Sequence, residues 1–213
     1  MFRHRLGVLG DHRLVSAETV GVRHLVRRGG EEDHVRAEGF AREILDAHRR
    51  ALGAEHPIVT EGMEGIAEHL AAQGRFAEAE DMLRDAIAML QRTVGAEHIR
   101  MGGILMTRGR VRAAAGRLDE AEADLRQSVA IMERSQGETS GYAAEPVALL
   151  ADVVERRGNH AEANALFDRA ATILRPLPPR GGYSMRAAFT AIADHYRAIG
   201  KPDDETFFRQ LIR

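Results

Sequence analysis

The 213-residue chain contains no cysteine and no tryptophan, and only 5% of its residues are aromatic. Without cysteine there is no disulfide scaffold, no thiolate metal site and no thiol nucleophile. So few rings leave little material for a base-stacking platform. Lysine is nearly absent too: Lys201 is the one lysine among 30 Lys and Arg residues, and 32 Asp and Glu bring the net charge to −2. That balance lacks the basic excess of a nucleic-acid-binding protein. The preference for arginine fits a GC-rich bacterial coding sequence, since the arginines do not gather in one patch. Long apolar runs are missing as well. The longest are five residues, Ala86–Leu90 and Val147–Ala151, against the roughly 20 that a membrane span requires. Met1–Gly7 carries charge with no apolar stretch behind it, so a cytoplasmic protein is expected rather than a secreted one. What remains, 44% hydrophobic and 29% charged residues, is the composition of a folded chain. Length alone suggests one or two domains.

The strongest positive signal is an internal repeat of 42 residues. Leu52-Gly53-Ala54-Glu55-His56 recurs as Val94-Gly95-Ala96-Glu97-His98, with an earlier copy at Leu9-Gly10-Asp11-His12 and a decayed one at Gln136-Gly137-Glu138-Thr139. A glycine returns in the same register at Gly74, Gly116, Gly158 and Gly200, and an alanine at Ala37, Ala79, Ala121 and Ala163. Glu38, Glu80 and Glu122 follow three of those alanines. Each unit reads as two helices. Met63, Ile66, Ala67 and Leu70 form one amphipathic stripe, and Ala79, Leu83, Ala86, Ile87 and Leu90 the next. Gly74 is placed to end the first helix in a left-handed conformation, and the alanines let two helices cross closely. Pro57 and the Pro176–Pro179 segment mark loops between units. A hairpin of this size cannot bury its stripe alone, so neighbours must stack. The expected organisation is a single array over residues 1–213: a partial helix at 1–15, then units at about 16–53, 58–95, 100–137, 142–176 and 183–213. Met1–Gly10 reads as the tail of a second helix, and Phe208 as the counterpart of Phe167 in a shortened last helix.

Leu70, Gly74-Arg75-Phe76, Glu78-Ala79-Glu80 and Gly116-Arg117-Leu118-Asp119-Glu120-Ala121-Glu122 resemble the tetratricopeptide repeat. The 42-residue period and the loop Leu52-Gly53-Ala54-Glu55-His56-Pro57 resemble its kinesin-light-chain subtype. The resemblance covers essentially the whole chain. It implies an all-α, right-handed superhelical solenoid of stacked antiparallel hairpins whose first helices line a concave, ligand-binding face. Family members are mostly protein–protein interaction modules, and bacterial arrays often sit beside kinase or regulator domains. Relatives that hold peptides do so through Asn, Lys and Arg of the first helices. Here Asn is confined to Asn159 and Asn164, outside the first helices, so an Asn backbone clamp is not expected.

On that concave face the resemblance places Glu61, Glu64 and Glu68 in one unit, Glu145, Asp152 and Glu155 in another, and Asp194 in the last. Arg108, Arg110 and Arg112 make the intervening first helix basic. Arg108 and Arg112 fall where apolar residues are usual, so either that helix is rotated or their stems snorkel past the core towards acidic neighbours. A mostly acidic groove crossed by a basic stripe suits a basic or mixed-charge peptide. His12, His56 and His98 share one loop position but stand about one repeat apart, on the order of 10–20 Å, too far for one metal ion. A loop-pinning hydrogen bond is the expected role. His69 and His195 share another position and are expected to face solvent. No serine sits in a nucleophile elbow, the Gly-rich pieces Gly102-Gly103 and Gly181-Gly182 lack the lysine of a phosphate loop, and the Arg175–Arg180 proline-rich segment reads as a connecting loop before an SH3 ligand. The expected function is a non-catalytic scaffold for a protein or peptide partner, with no cofactor and no metal. The alternative is a regulatory or self-associating sensor module separated from a larger signalling protein, with exposed solenoid ends as a homodimer contact.

Overall fold

A computed structural model describes residues 31–176 and 185–212. The Leu9–His12 loop copy, the partial helix at 1–15 and most of the proline-rich segment lie outside the described residues. Among the described residues there are nine helices and no strand. They fall into two compact units divided after Gly95. The first holds α1 (Glu31–Leu52), α2 (Val59–Ala72) and α3 (Phe76–Thr93). The second holds α4 (Ile99–Ala114), α5 (Leu118–Gln136), α6 (Gly141–Arg156), α7 (His160–Leu174), α8 (Met185–Ala198) and α9 (Pro202–Leu211). No helix among them is long and apolar enough to cross a membrane.

The turn glycines do what the repeat asks of them. Gly74 has φ +75° and Gly158 φ +86°, a region that costs a side chain but not glycine. At each, the following N–H reaches back to close the helix: Arg75 N to the Leu70 carbonyl at 2.9 Å, Asn159 N to the Val154 carbonyl at 3.1 Å. This cap satisfies the last carbonyls and lets the second helix start at once. Arg117 N to Arg112 O and Lys201 N to Tyr196 O repeat the bond at 2.9 and 2.8 Å.

The loops between hairpins are pinned as the histidines suggested. His98 Nδ1 accepts the Arg100 N–H and His56 Nδ1 the Ile58 N–H, both at 3.2 Å. At the same register Ser140 Oγ accepts the Tyr142 N–H at 3.3 Å. A residue that looked like part of a decayed copy therefore keeps the cap, because any acceptor of the right reach can satisfy an orphan helix donor.

Ala37, Ala79, Ala121 and Ala163 are all 0% exposed. The amphipathic stripes are the core: Ile66, Leu70, Leu83 and Leu90 in the first unit, Ile104, Leu125, Leu150, Phe167, Leu174 and Phe208 in the second. In the second unit the backbones of α4 and α6, and of α6 and α8, approach closely, whereas those of α5, α7 and α9 stay further apart. The outer helices are instead joined by long side chains: Arg126 reaches Glu162 at 2.7 Å, Arg169 reaches Glu133, and Arg175 reaches Asp204. The first helices thus make the tighter layer of this unit.

Candidate functional site

The expected site residues divide between the units. On α2, Glu61 and Glu68 are exposed and Glu64 is half-buried, along one face of the helix. In the second unit, α4, α6 and α8 carry Arg110, Asp152 and Asp194 at equivalent positions, each half-buried. About one turn earlier on the same helices, Met106, Leu149 and Ala191 are partly buried against the core. Burial pushes the Asp152 carboxyl up, and the nearby charges of Asp194 and Glu155 add to this, while Arg156 opposes it from 3.6 Å. Asp194 is tied to Arg209 at 2.5 Å and Arg197 at 3.2 Å. Glu145, expected on the open face, is only 5% exposed. It sits one residue before Pro146 inside α6, among residues that pack against both flanking hairpins, and so offers no free surface.

The basic stripe does not survive as a surface feature. Met101, Leu105 and Gly109 are buried where α2 buries Val59, Met63 and Ala67, so α4 is not rotated. Arg108 and Arg112 turn inward, with side chains 20% and 18% exposed, and converge on Asp124 of α5, whose side chain is 5% exposed. Arg108 Nε and Nη2 donate to the two carboxylate oxygens at 2.9 and 2.7 Å, and Arg112 Nη1 donates at 2.8 Å. Glu120 adds a second carboxylate 3.4 Å from Arg112. The buried acid that receives both arginines, Asp124, is on their own hairpin. Asp124 was the missing residue, and the period could have found it: it occupies the register of Met82 and Leu166, a charge at an apolar place facing two others.

His195 also differs from expectation. It is 7% exposed and stacked on Phe167, ring centroids 4.2 Å apart, because the aromatic ring of the preceding hairpin provides a flat surface that α8 covers. His69 is half-buried.

The conserved-register glutamates have a role the sequence did not disclose: they clamp one hairpin to the next. Glu38 receives Gln73 Nε2 and Arg75 Nη1, both at 2.9 Å, from the following turn, as well as Arg42 from its own helix. Glu122 is held by Arg126 at 2.7 Å and by Arg157 of the following turn. Burial alone would raise both carboxyls. Hydrogen bonds from Gln73 and Arg42 to Glu38, and from Arg157 and Arg126 to Glu122, outweigh it and hold them below their ordinary value. Further pins join the second unit: Arg156 Nη2 donates to the Ala113 carbonyl at 2.8 Å, and the Tyr196 hydroxyl to Asp168 at 3.0 Å. Among the described residues no group of three or more His, Asp or Glu is placed to hold a metal ion.

Comparison with known proteins bears on the same architecture. A family model for the tetratricopeptide repeat matches residues 29–92 and 100–176. No curated protein sequence matches the chain. Among solved structures, BtubC (BKLC) from P. vanneervenii is similar with a TM-score of 0.69 and 19% identity, over 96% of this chain and 82% of that one. A structure described as "Podosopora anserina putative kinesin light chain nearly identical TPR-like repeats" gives a TM-score of 0.63 and 21% identity over 94% and 93%. A Rap protein complexed with Competence and Sporulation Factor gives 0.61 and 14% over 85% and 58%. At these identities the likeness is one of fold.

Proposed function

The chain belongs to the tetratricopeptide repeat family, and on that premise we propose that it is a non-catalytic scaffold that binds a protein or peptide partner on the first-helix face of its second unit. The observation that carries this reading is the contrast between the two layers there. Behind, buried ion pairs and turn clamps fix the helices. In front, Met106, Leu149 and Ala191 are left partly exposed about one turn before Arg110, Asp152 and Asp194. A prearranged apolar strip with charges of both signs loses little conformational freedom on binding and selects register by charge. The fitting ligand is an extended segment with an apolar side chain for the strip and a basic one for Asp152. That a Rap protein of similar fold was solved with Competence and Sporulation Factor supports ligand binding by such an array. The Glu61, Glu64 and Glu68 face of α2 is a separate acidic surface, proposed as a second contact in its own unit.

The test is affinity capture from the source cell with the full chain and two variants, Asp152→Arg and the pair Glu64→Arg with Glu68→Arg. Loss of a captured protein with Asp152→Arg supports the second-unit face. An unchanged set of captured proteins with both variants refutes binding at either place.

A further inference from the structure

His195 is the chemically odd member of its register. The two preceding hairpins carry Val111 and Val153 there, 3% and 1% exposed. The imidazole occupies the same kind of space: it lies on Phe167 at an interplanar angle of 17°, with the Tyr196 ring centroid 5.6 Å away. Its Nε2 is buried and has no hydrogen-bond partner. The charges around it come from each element packed on it. From α6 comes Glu155, whose Oε1 is engaged by His160 Nδ1 at 2.9 Å and whose Oε2 is buried without a partner. From α7 comes Asp168, which accepts the Tyr196 hydroxyl and lies 3.9 Å from Lys201 Nζ. From the turn before α9 comes Lys201 itself.

A neutral imidazole packs there as valine does. A protonated one must place charge at a buried nitrogen that has no acceptor, a cost that the attraction of the Phe167 face for a cation offsets only in part. Glu155 and Asp168 favour the charged form, but Asp168 and one oxygen of Glu155 already serve other groups, and Lys201 repels it. Burial is the largest influence and lowers the His195 pKa below its ordinary 6.5. The docked hairpin therefore binds fewer protons than the undocked one. Its docking stability is complete above about pH 6.5 and falls as pH drops through that value towards the lowered pKa.

We propose that His195 is a pH-operated release for the last hairpin: protonation of its imidazole loosens α8 and α9 from α6 and α7, while the α4–α5 hairpin keeps its packing. Because α8 carries Ala191 and Asp194, the release removes one wall of the first-helix face.

Amide hydrogen exchange of the full chain at about pH 7.5 and about pH 5.5, corrected for intrinsic exchange, tests this. Protection of 185–211 should fall about threefold or more relative to 118–136 in the acid sample. His195→Val, which copies the two preceding hairpins, should keep full protection at both values. Equal protection of the parent at both values, tighter docking at the acid one (the result of a His195–Glu155 ion pair), or the same loss in His195→Val overturns the proposal. Should that variant not fold, NMR titration of the His195 ring in the parent chain decides: a midpoint below about 6, which a threefold loss at about pH 5.5 requires, supports the release, and one at or above it overturns it.

Discussion

Replacing Asp124 by alanine should be among the most damaging single changes in the second unit. The side chain is 5% exposed and receives three charge-assisted hydrogen bonds, at 2.7, 2.8 and 2.9 Å. Removing it leaves two guanidinium groups, 20% and 18% exposed, facing a packed interface. Breaking a buried pair from one side costs about 3–5 kcal/mol. Glu120, 3.4 Å from Arg112, remains as a weaker counter-ion and puts the expectation near the lower end, about 3 kcal/mol. At ~2–4 °C per kcal/mol this lowers the thermal midpoint by about 6–12 °C. The complementary experiment removes all three charges. Arg108→Leu, Arg112→Val and Asp124→Leu together copy Leu150, Val154 and Leu166 of the next hairpin. A buried triad is often no better than well-packed apolar residues, so this triple variant should match the parent or exceed it by about 1–4 kcal/mol. Urea is the suitable denaturant because it does not screen ion pairs, and exchange of α4 and α5 amides localises the effect. An Asp124→Ala protein within 1 kcal/mol of the parent, or a triple variant as unstable as the single one, would refute the reasoning.

Three further outcomes can be checked by the same unfolding measurements. At Gly109 a Cβ would stand 2.8 Å from Leu125 Cγ and 3.2 Å from the Ala121 carbonyl, so Gly109→Ala should lose about 1–3 kcal/mol to overpacking despite a gain of about 1 kcal/mol in helix preference. Ser140→Ala should cost about 1 kcal/mol through the lost cap, while Ser140→His should retain it, as His98 does. Because the Glu122 carboxyl is held down in the folded state, its contribution is present above pH 4.5 and lost as pH falls through the lowered value; Glu122→Gln should flatten the acid limb of stability against pH.

The repeat made the hairpins legible because each marker follows from a local requirement: a left-handed glycine after the first helix, a small residue at the crossing, an acceptor at the loop. Those requirements recur every 42 residues and depend on neighbours only a few positions away. Side-chain destinations were harder to see. Arg108 and Arg112 could be recognised as charges in apolar places, but where they went depended on Asp124, twelve and sixteen residues on. Glu38 and Glu122 were visible as markers without a role, since their partners belong to the next turn. His195 was misjudged because histidine is amphipathic and Phe167, 28 positions earlier, decides whether it is covered. The preference for arginine also has a structural side: a forked, five-donor group can bridge two carboxylates at once, as Arg126 does for Glu122 and Glu162, which a lysine ammonium does less well.

The outer links of the second unit have a mechanical meaning. Where α4, α6 and α8 touch, stiffness comes from close-packed contacts that resist both compression and stretch. Between α5, α7 and α9 the backbones stay further apart, and Arg126–Glu162, Arg169–Glu133 and Arg175–Asp204 add coupling by tethers with rotatable bonds. The two layers are therefore coupled by different forces, close packing of helices on one and packing supplemented by ion pairs on the other. Raising ionic strength weakens these partly exposed pairs and acts far less on the packed contacts of α4, α6 and α8.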